Sequence, residues 1–155
     1  MFNFLYFVFM KKVEYIRDSR SPIPTNEAVS KVMSANKAKN TKPELLLRKE
    51  LCENDLRGYR LHPKTVPGRP DVCYISKRVA IFMHGCFWHR CPHCDYPLPK
   101  NNRKFWVEKF AKNKMRDNKK RKELRKLGWK VFTIWECELQ KNVNKLINNI
   151  KNELV

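Results

Sequence analysis

The stretch His84-Gly85-Cys86-Phe87-Trp88-His89-Arg90-Cys91-Pro92-His93-Cys94 places three histidines, three cysteines and two adjacent large aromatic side chains within eleven residues. Thiolates at this density suit Zn²⁺, and a neutral imidazole either binds a metal ion or moves a proton. Phe87 and Trp88 offer flat surfaces that can stack on nucleic-acid bases. The stretch therefore predicts a metal site that pins a loop to the rest of the fold.

The overall charge indicates a polyanionic partner. The chain has 155 residues, with 34 Lys+Arg against 15 Asp+Glu and a formal net charge of +19. Such an excess of positive charge favours nucleic acid as the partner, with an anionic membrane surface as the second interpretation. The length predicts one domain of ordinary size, large enough to bury a core without covalent cross-links.

The chain contains six cysteines, which fit a reducing, cytoplasmic compartment better than a secreted one. A Cys-x4-Cys-x2-Cys spacing in a lysine-rich chain without a secretory signal predicts a metal site rather than a disulfide framework. Cys52 and Cys73 lie in apolar stretches, and we expect both to be ordinary core thiols.

The N-terminal part of the sequence lacks the pattern of a folded element. Residues 1–10 are apolar, but they are too few to cross a bilayer and no signal-peptidase site follows. They fit an upstream translation artefact, an anchor or a disordered tail. Residues 11–32 contain Pro22 and Pro24 and little periodicity, which favours an arm or linker. We expect residues 1–30 to be a flexible extension and residues 31–155 to be the functional domain.

The remaining residues predict alternating helices and strands. Thr41 and Glu44 form a capping box, whose helix is expected to run to about Asn54 and to bury Leu47 and Leu51. Further along, the chain predicts a strand at 59–62, a hairpin of strands 72–75 and 79–83, a basic helix at 104–127, a strand at 129–135 and an amphipathic last helix.

The long basic helix determines the predicted topology. A crossover helix between strands 79–83 and 129–135 implies a right-handed connection and parallel pairing. The fold class expected is therefore α/β, with a mixed sheet flanked by helices. The helix is also rich in Lys and Arg, which favours contacts to phosphates.

Three thiolates of the opening stretch, Cys86, Cys91 and Cys94, leave tetrahedral Zn²⁺ in need of a fourth ligand. Cys137 follows the strand ending at Trp135, so parallel pairing would bring it to the same sheet edge as Cys86. His93 is the competing fourth ligand, or a replacement for one cysteine. A site closed in this way would be structural.

A second cation site is predicted at Asp71, which ends the rigid Pro67-Gly-Arg-Pro-Asp71 segment at the start of a strand. A carboxylate there can hold Mg²⁺, although a turn-capping aspartate is the simpler interpretation. The second hairpin strand returns His84 and His89 to the neighbourhood of Asp71. Hydrolysis of a phosphodiester needs both a cation and a proton-transfer group, and this segment would supply them.

Together with Phe105-Trp106-x-Glu-Lys and Gly128-Trp129-x-Val-x-x-x-Trp135-Glu136-Cys137, these motifs resemble the very-short-patch repair, or Vsr, endonucleases over roughly residues 30–140. The resemblance implies a restriction-endonuclease-like fold and a Mg²⁺-dependent nick in duplex DNA. In that family the nick falls 5′ of the thymine in a T:G mismatch left by deamination of 5-methylcytosine.

The resemblance also implies roles for individual residues. Asp71 resembles the metal-binding catalytic aspartate, with the backbone carbonyl of Met83 as a further ligand. His89 resembles the general acid/base, His84 a second active-site histidine, and Glu44 a helical glutamate that supports the centre.

Contacts to DNA are implied in the same way. Phe87 and Trp88 resemble aromatics that wedge beside the mismatch, and Met33 resembles a methionine inserted from the opposite groove. Trp106 is expected to serve both as a core anchor and as part of the wedge. The zinc positions fall on Cys86, Cys91, Cys94 and Cys137.

The expected protein is thus a monomeric, nucleoid-associated enzyme that binds mismatched double-stranded DNA and works alongside repair proteins, without a membrane. Two alternatives remain open at this point. One is a related restriction-type nuclease that cuts unmismatched duplex. The other is a non-catalytic, zinc-stabilised DNA-binding protein.

Overall fold

The structure, a computed structural model, describes residues 21–154. The apolar run at residues 1–10 and most of the predicted arm lie outside the described residues. The first described element is helix α1, Glu27–Ser34, which lies in the segment interpreted as an arm or linker. Asn26 caps it by accepting a hydrogen bond from the Val29 N–H at 2.9 Å, and none of its residues is buried.

Helix α2, Lys42–Glu53, confirms Thr41 as the N-cap and the predicted end of the helix. The reciprocal bond of a capping box differs from the prediction, because the Glu44 carboxylate accepts from the Asn40 N–H instead of the Thr41 N–H. Leu47 and Leu51 are fully buried, as expected. Cys52 is exposed, so the prediction that it is a core thiol was wrong. It follows Leu51 directly and is rotated by about 100° from the buried stripe of the helix. Cys73 is buried, in agreement with the prediction.

Four strands form one mixed sheet in the order β1-β2-β3-β4. Their bounds are Arg60–Leu61, Val72–Tyr74, Val79–His84 and Lys130–Trp135. The first three strands are antiparallel neighbours, and β4 pairs with β3 in parallel. The predicted hairpin and the parallel pairing are therefore confirmed, while β1 is shorter than the strand predicted at 59–62.

Helix α4, Arg103–Lys126, is the crossover between β3 and β4. Its buried residues are Trp106, Phe110, Asn113, Asp117 and Leu124. These positions are three, four or seven residues apart, so they form one stripe on the inner side of the helix. The chain turns at Gly128, whose φ of 77° is left-handed, and then enters β4. This agrees with the predicted helix and its glycine stop.

The remaining helices are α3 (Cys86–His89), α5 (Glu136–Lys141) and α6 (Val143–Leu154). The four-residue α3 occupies the segment that was expected to be a loop. Helix α6 confirms the predicted amphipathic element and buries Ile147 and Ile150. No helix within residues 21–154 is long and apolar enough to cross a membrane.

Side chains alternate between the two faces of the sheet. Val79 and Ile81 pack with residues of α2 and α6, whereas Ala80 and Phe82 pack with Leu124 of α4. The two-residue period continues to the end of β3 and puts His84 on the face covered by α4. Asp71 lies two residues before Cys73, which is on the same face. Asp71 and His84 therefore lie on the same side of the sheet.

Candidate active site

A cleft of about 840 Å³ opens beside α4 at the carboxyl end of β3. Its lining includes all the residues predicted to be catalytic, together with basic and apolar side chains of α1 and α4. The predicted catalytic residues in the lining are Glu44, Asp71, His84 and His89, and the others that matter below are Met33, Trp88, Trp106, Arg116, Asp117 and Lys120.

Asp71 is held at the base of this cleft by the sheet itself. Its Oδ2 accepts a hydrogen bond from the Met83 N–H at 2.7 Å, across the β2–β3 hairpin. Its Oδ1 lies 3.5 Å from Nδ1 of His62. Burial raises the pKa of the Asp71 carboxyl, the Met83 hydrogen bond opposes the rise, and the nearby charge of Glu44 adds to it. A cation beside Asp71 would relieve the strain of burying two neighbouring carboxylates.

Glu44 is anchored at the start of α2. Its carboxylate accepts hydrogen bonds from the Asn40 N–H and the Thr41 hydroxyl, each at 2.9 Å, and from the Arg48 guanidinium at 3.1 Å. Four hydrogen-bond acceptor sites are available on a carboxylate, so one remains for a further partner. The residues around the N-cap of the helix therefore also fix this side chain in the site.

His62 joins the two carboxylates, and sequence reasoning missed it. Its Nε2 lies 3.7 Å from Oε2 of Glu44, and the three side chains could together hold a metal ion. Oxygen and imidazole donors fit a divalent cation. The pairing of Leu61 with Val72 puts His62 beside Asp71. An antiparallel register assigned to the predicted strand 59–62 would have revealed it.

His89 is paired with Asp117 of α4, with 2.6 Å between Nδ1 and Oδ2. Burial alone would raise the pKa of Asp117, but the hydrogen bond from His89 and the surrounding positive charges hold it below its usual range. An ionised Asp117 accepts the proton on Nδ1, so Nε2 of His89 is the nitrogen that can take up a proton. Asp117 was also missed, because it is one of few acids within the basic run of α4.

His84 lies against this pair and is buried. Its ring stacks on that of His89, with centroids 4.0 Å apart, and meets the edge of Trp135 at 5.1 Å. Burial and the neighbouring His89 charge lower the pKa of His84 to about 3. His84 is therefore neutral near pH 7. Its Nδ1 is buried without a hydrogen-bond partner among the described residues.

The aromatic residues predicted to contact DNA form a cluster beside the cleft. Phe87 packs edge-on against Trp106 and Phe110, at 5.6 and 5.4 Å between ring centroids. Trp88 is half-buried, and its backbone carbonyl accepts a hydrogen bond from Asn113 Nδ2 at 3.0 Å. Trp88, Trp106 and Met33 line the cleft, whereas Phe87 supports them from behind. Their contact with a mismatch stays a prediction.

The four cysteines predicted as zinc ligands come together at the end of the sheet, with their sulfur atoms within 4.8 Å of one another. The sulfurs of Cys91 and Cys137 are 3.7 Å apart. A Zn–S bond of ~2.3 Å implies roughly 3.8 Å between sulfurs in a tetrahedral site. The donors and their spacing therefore fit Zn²⁺. The parallel pairing of His84 with Trp135 places Cys86 and Cys137 two residues beyond the paired ends.

His93, the alternative ligand, lies at the edge of this cysteine cluster. Its imidazole is 60% exposed and has Nε2 3.6 Å from Oε1 of Glu138. Only its backbone N–H reaches the cluster, with a hydrogen bond to the Cys91 sulfur at 3.4 Å. Such a bond stabilises a thiolate ligand without replacing it.

Comparison with known proteins assigns the class. Residues 22–95 match the family model described as DNA mismatch endonuclease Vsr. The type II nicking enzyme V.NmeAIP of Neisseria meningitidis is 40% identical over 134 residues, which is 83% of this chain and 95% of that enzyme. The DNA mismatch endonuclease Vsr of Escherichia coli is 39% identical over 112 residues, covering 72% of this chain and 70% of that protein.

A third relative, the type II nicking enzyme V.XorIIP of Xanthomonas oryzae pv. oryzae, is 40% identical over 108 residues, or 70% of this chain and 79% of that enzyme. A cleft with buried carboxylates and a histidine–aspartate pair, together with these relatives, defines an endodeoxyribonuclease. The chain belongs to the Vsr family of DNA endonucleases. This membership disfavours the non-catalytic alternative.

Proposed function

We propose that the protein nicks duplex DNA on the 5′ side of the thymine in a T:G mismatch, with Mg²⁺ at Asp71 and a restriction-endonuclease-like catalytic fold. The observation that carries the proposal is that Asp71 and the His89–Asp117 pair line one cleft, which Met33 and Trp88 also line. Residues suited to hydrolysis and residues suited to opening a base pair thus face the same substrate.

Asp71, with the backbone carbonyl of Met83, would hold the cation. A bound Mg²⁺ supplies positive charge to the phosphate and makes a coordinated water more acidic. Nε2 of His89 accepts a proton from the attacking water, and Asp117 stabilises the resulting imidazolium. The water oxygen forms a bond to phosphorus as the bond to the 3′-oxygen breaks, and that oxygen takes a proton from solvent. The products are a 5′-phosphate and a 3′-hydroxyl.

Mismatch selectivity would come from the cost of opening the duplex. Unstacking a base step costs a few kcal/mol, and a displaced T:G wobble pair lowers this cost. Stacking on an aromatic side chain returns ~1–3 kcal/mol per base. Trp88, supported by Phe87 and Trp106, is placed for such a contact on one wall of the cleft, and Met33 lies on the wall formed by α1.

The other parts of the proposal concern stability and context. Zn²⁺ bound to the cysteine cluster would hold α3, and therefore His89, at the end of the sheet. We propose a monomer that acts on DNA at the nucleoid of the cytoplasm.

The test is a nicking assay on end-labelled duplexes that differ only in a T:G or a T:A pair, with Mg²⁺ present. We expect a nick 5′ of the thymine in the T:G duplex only. Asp71→Asn should abolish the nick while duplex binding is retained. Asp55→Asn, an exposed aspartate at the end of α2, is the control and should cut normally.

Equal nicking of the two duplexes would contradict mismatch selectivity. It would instead favour the alternative of a restriction-type nuclease that cuts unmismatched duplex; V.NmeAIP and V.XorIIP are described as type II nicking enzymes. Normal nicking by Asp71→Asn would contradict the placement of the cation.

A further inference from the structure

We propose that Lys120 is a further catalytic residue, whose ammonium group contacts the scissile phosphate and stabilises the negative charge that builds on it during hydrolysis. The proposal rests on the proposed role of Asp71 in the same cleft, and it is independent of mismatch selectivity.

Among the lysines in the long basic run of α4, only Lys120 lines the cleft. It follows Asp117 by three residues and precedes Leu124 by four, so it lies on the helix stripe that faces the sheet. Its side chain is half-buried and lines the cleft, whereas its neighbours Lys119 and Lys122 are exposed. The position is thus set by the helical period and by the packing of α4.

The stem of Lys120 lies flat against the turn that precedes Asp71. A Cβ atom added to Gly68 would come within 3.0 Å of both Cβ and Cγ of Lys120. Gly68 has a φ of 75°, a conformation that glycine adopts without strain. The missing side chain at this turn makes room for the stem. The contact holds the stem of Lys120 against the segment that precedes Asp71, and the lysine lines the cleft there.

Among the residues that the structure describes, the charge of Lys120 has no partner of its own. Burial and Arg116 lower its pKa, while attraction to Asp117 and Asp71 partly restores it. Among residues 21–154, Lys120 forms no ion pair, although both carboxylates act on it. A lysine ammonium offers three donors, and in a partly desolvated cleft an unpaired one favours an anion strongly. A phosphate of the DNA is the anion that this cleft receives.

The sequence of β3 explains why a lysine from α4 is needed. Strand β3, Val79–His84, contains no lysine or arginine. His84 ends the strand, and it is neutral near pH 7 because burial lowers its pKa to about 3. Side-chain positive charge at the phosphate, in addition to that of the proposed Mg²⁺, therefore comes from another element. Arg116, the other cation that α4 brings to the cleft, lies 3.7 Å from the Asp117 carboxylate, whereas Lys120 has no such partner among the described residues. A preorganised cation at the point where charge develops is among the largest single contributions to catalysis.

The test compares Lys120→Met with Lys119→Met in single-turnover nicking at saturating DNA. Methionine keeps much of the stem that packs on Gly68 and removes only the charge. We expect Lys120→Met to lower the rate constant by about 10²- to 10³-fold, as for the loss of one preorganised donor. Lys119→Met should cut at nearly the wild-type rate. Both variants should weaken duplex binding to a similar, small extent, and Lys120→Arg should recover part of the lost rate.

Equal rates for Lys120→Met and Lys119→Met would overturn the proposal. So would a loss confined to the dissociation constant of the duplex, since Lys120 would then only add to general attraction. Melting temperatures show whether the variants fold, and Lys120→Gln replaces Lys120→Met if the latter does not. Rates are measured on whichever duplex the wild type cuts.

Asp71→Asn run in parallel separates the two proposals. If Asp71→Asn is inactive and Lys120→Met is fully active, only the role of Lys120 fails. If Asp71→Asn keeps its activity, the proposed cation site fails whatever Lys120 does.

Discussion

The 2.6 Å contact between His89 and Asp117 determines which imidazole nitrogen can act in the cleft. Asp117 occupies Nδ1, which leaves Nε2 for proton transfer, while stacked and buried His84 is neutral near pH 7 because its pKa is lowered to about 3. Two adjacent histidines thus differ in role because only one of them has a carboxylate partner. A buried carboxylate elsewhere on α4 could not have the same effect, because hydrogen-bond distance is required.

Replacing Asp117 with asparagine should therefore strongly impair nicking, although Asp117 acts only by orienting His89. We expect Asp117→Asn to lower the single-turnover rate by about 10²-fold or more, because proton transfer by a positioned base contributes about that much. Glu123→Gln changes an exposed acid on the same helix and serves as the control. A wild-type rate for Asp117→Asn would show that His89 needs no orienting partner.

Cys52 and Cys73, the two cysteines outside the cysteine cluster, should differ in reactivity. Burial raises the pKa of the Cys73 thiol from 9.0 to about 11, whereas Cys52 is exposed on α2. The thiolate is the reactive form, so at pH 8 iodoacetamide should label Cys52 much faster than Cys73. Peptide mass spectrometry reads out both sites. Comparable labelling of the two in folded protein would contradict the burial of Cys73.

The same shift predicts a weakness at alkaline pH. Between pH 9.0 and about 11 the unfolded Cys73 thiol ionises while the folded one does not. Ionisation therefore favours the unfolded chain, and the free energy of unfolding falls as the pH rises through that window. Below pH 9.0 the thiol is protonated in both states, and its titration does not change the stability.

At the level of elements, α3 is the segment that most depends on its surroundings. A helix of four residues has too few internal hydrogen bonds to be stable alone. It is held by Cys86 at its first residue, by Cys91 just beyond it, and by the bond between Asn113 and the Trp88 carbonyl. Helix α3 carries His89 and both aromatics of the predicted wedge, so the cysteine cluster supports the active site from a distance.

Loss of one sulfur should therefore affect both metal content and stability. We expect the wild type to contain about one Zn²⁺ per chain by elemental analysis, in line with a closed four-thiolate site. Cys137→Ser should lose the metal and about 4 kcal/mol of stability, the scale of damage typical of a lost structural metal. Exposed Cys52→Ser is the matched control. Full zinc content in Cys137→Ser would remove Cys137 from the ligand set.

At the level of the whole molecule, the chain has a net charge of +19, and its described residues form one mixed-sheet fold. Helix α4 is roughly 36 Å long at 1.5 Å per residue, so its basic residues extend beyond the cleft on both sides. Its inward stripe supplies Asp117 and Lys120 to the site, and its outward lysines face solvent. One helix thus serves both chemistry and general attraction to phosphates.

This distribution predicts binding that depends strongly on salt. If six or more phosphates are contacted, raising NaCl from about 50 to about 200 mM should lower duplex affinity by about 10³-fold or more. Fluorescence anisotropy with Ca²⁺ in place of Mg²⁺ measures it without cleavage. A duplex lacking the mismatch should show nearly the same slope, because phosphate contacts carry no sequence information. A flat salt dependence would contradict a charge-driven interface.

Patterns that involve neighbouring residues were read correctly from the sequence. The Thr41 N-cap, the hairpin, the long basic helix and the parallel pairing of β3 and β4 are all confirmed. Even the meeting of Cys86 with Cys137 followed, since parallel strands bring their ends to one edge. The error at Cys52 arose because an apolar sequence context does not show which face of α2 is buried.

The sequence alone therefore determined helices α2, α4 and α6, the order of the central strands, the thiolate cluster and the candidates Asp71 and His89, because these depend on short-range pattern and chain connectivity. Helices α1, α3 and α5 were not predicted. Only the tertiary structure decided that His62, Asp117 and Lys120 share the cleft. Their placement depends on the register of β1 against β2 and on the rotation of α4 about its axis. Both are set by how side chains distant in sequence pack against each other, which no local pattern encodes.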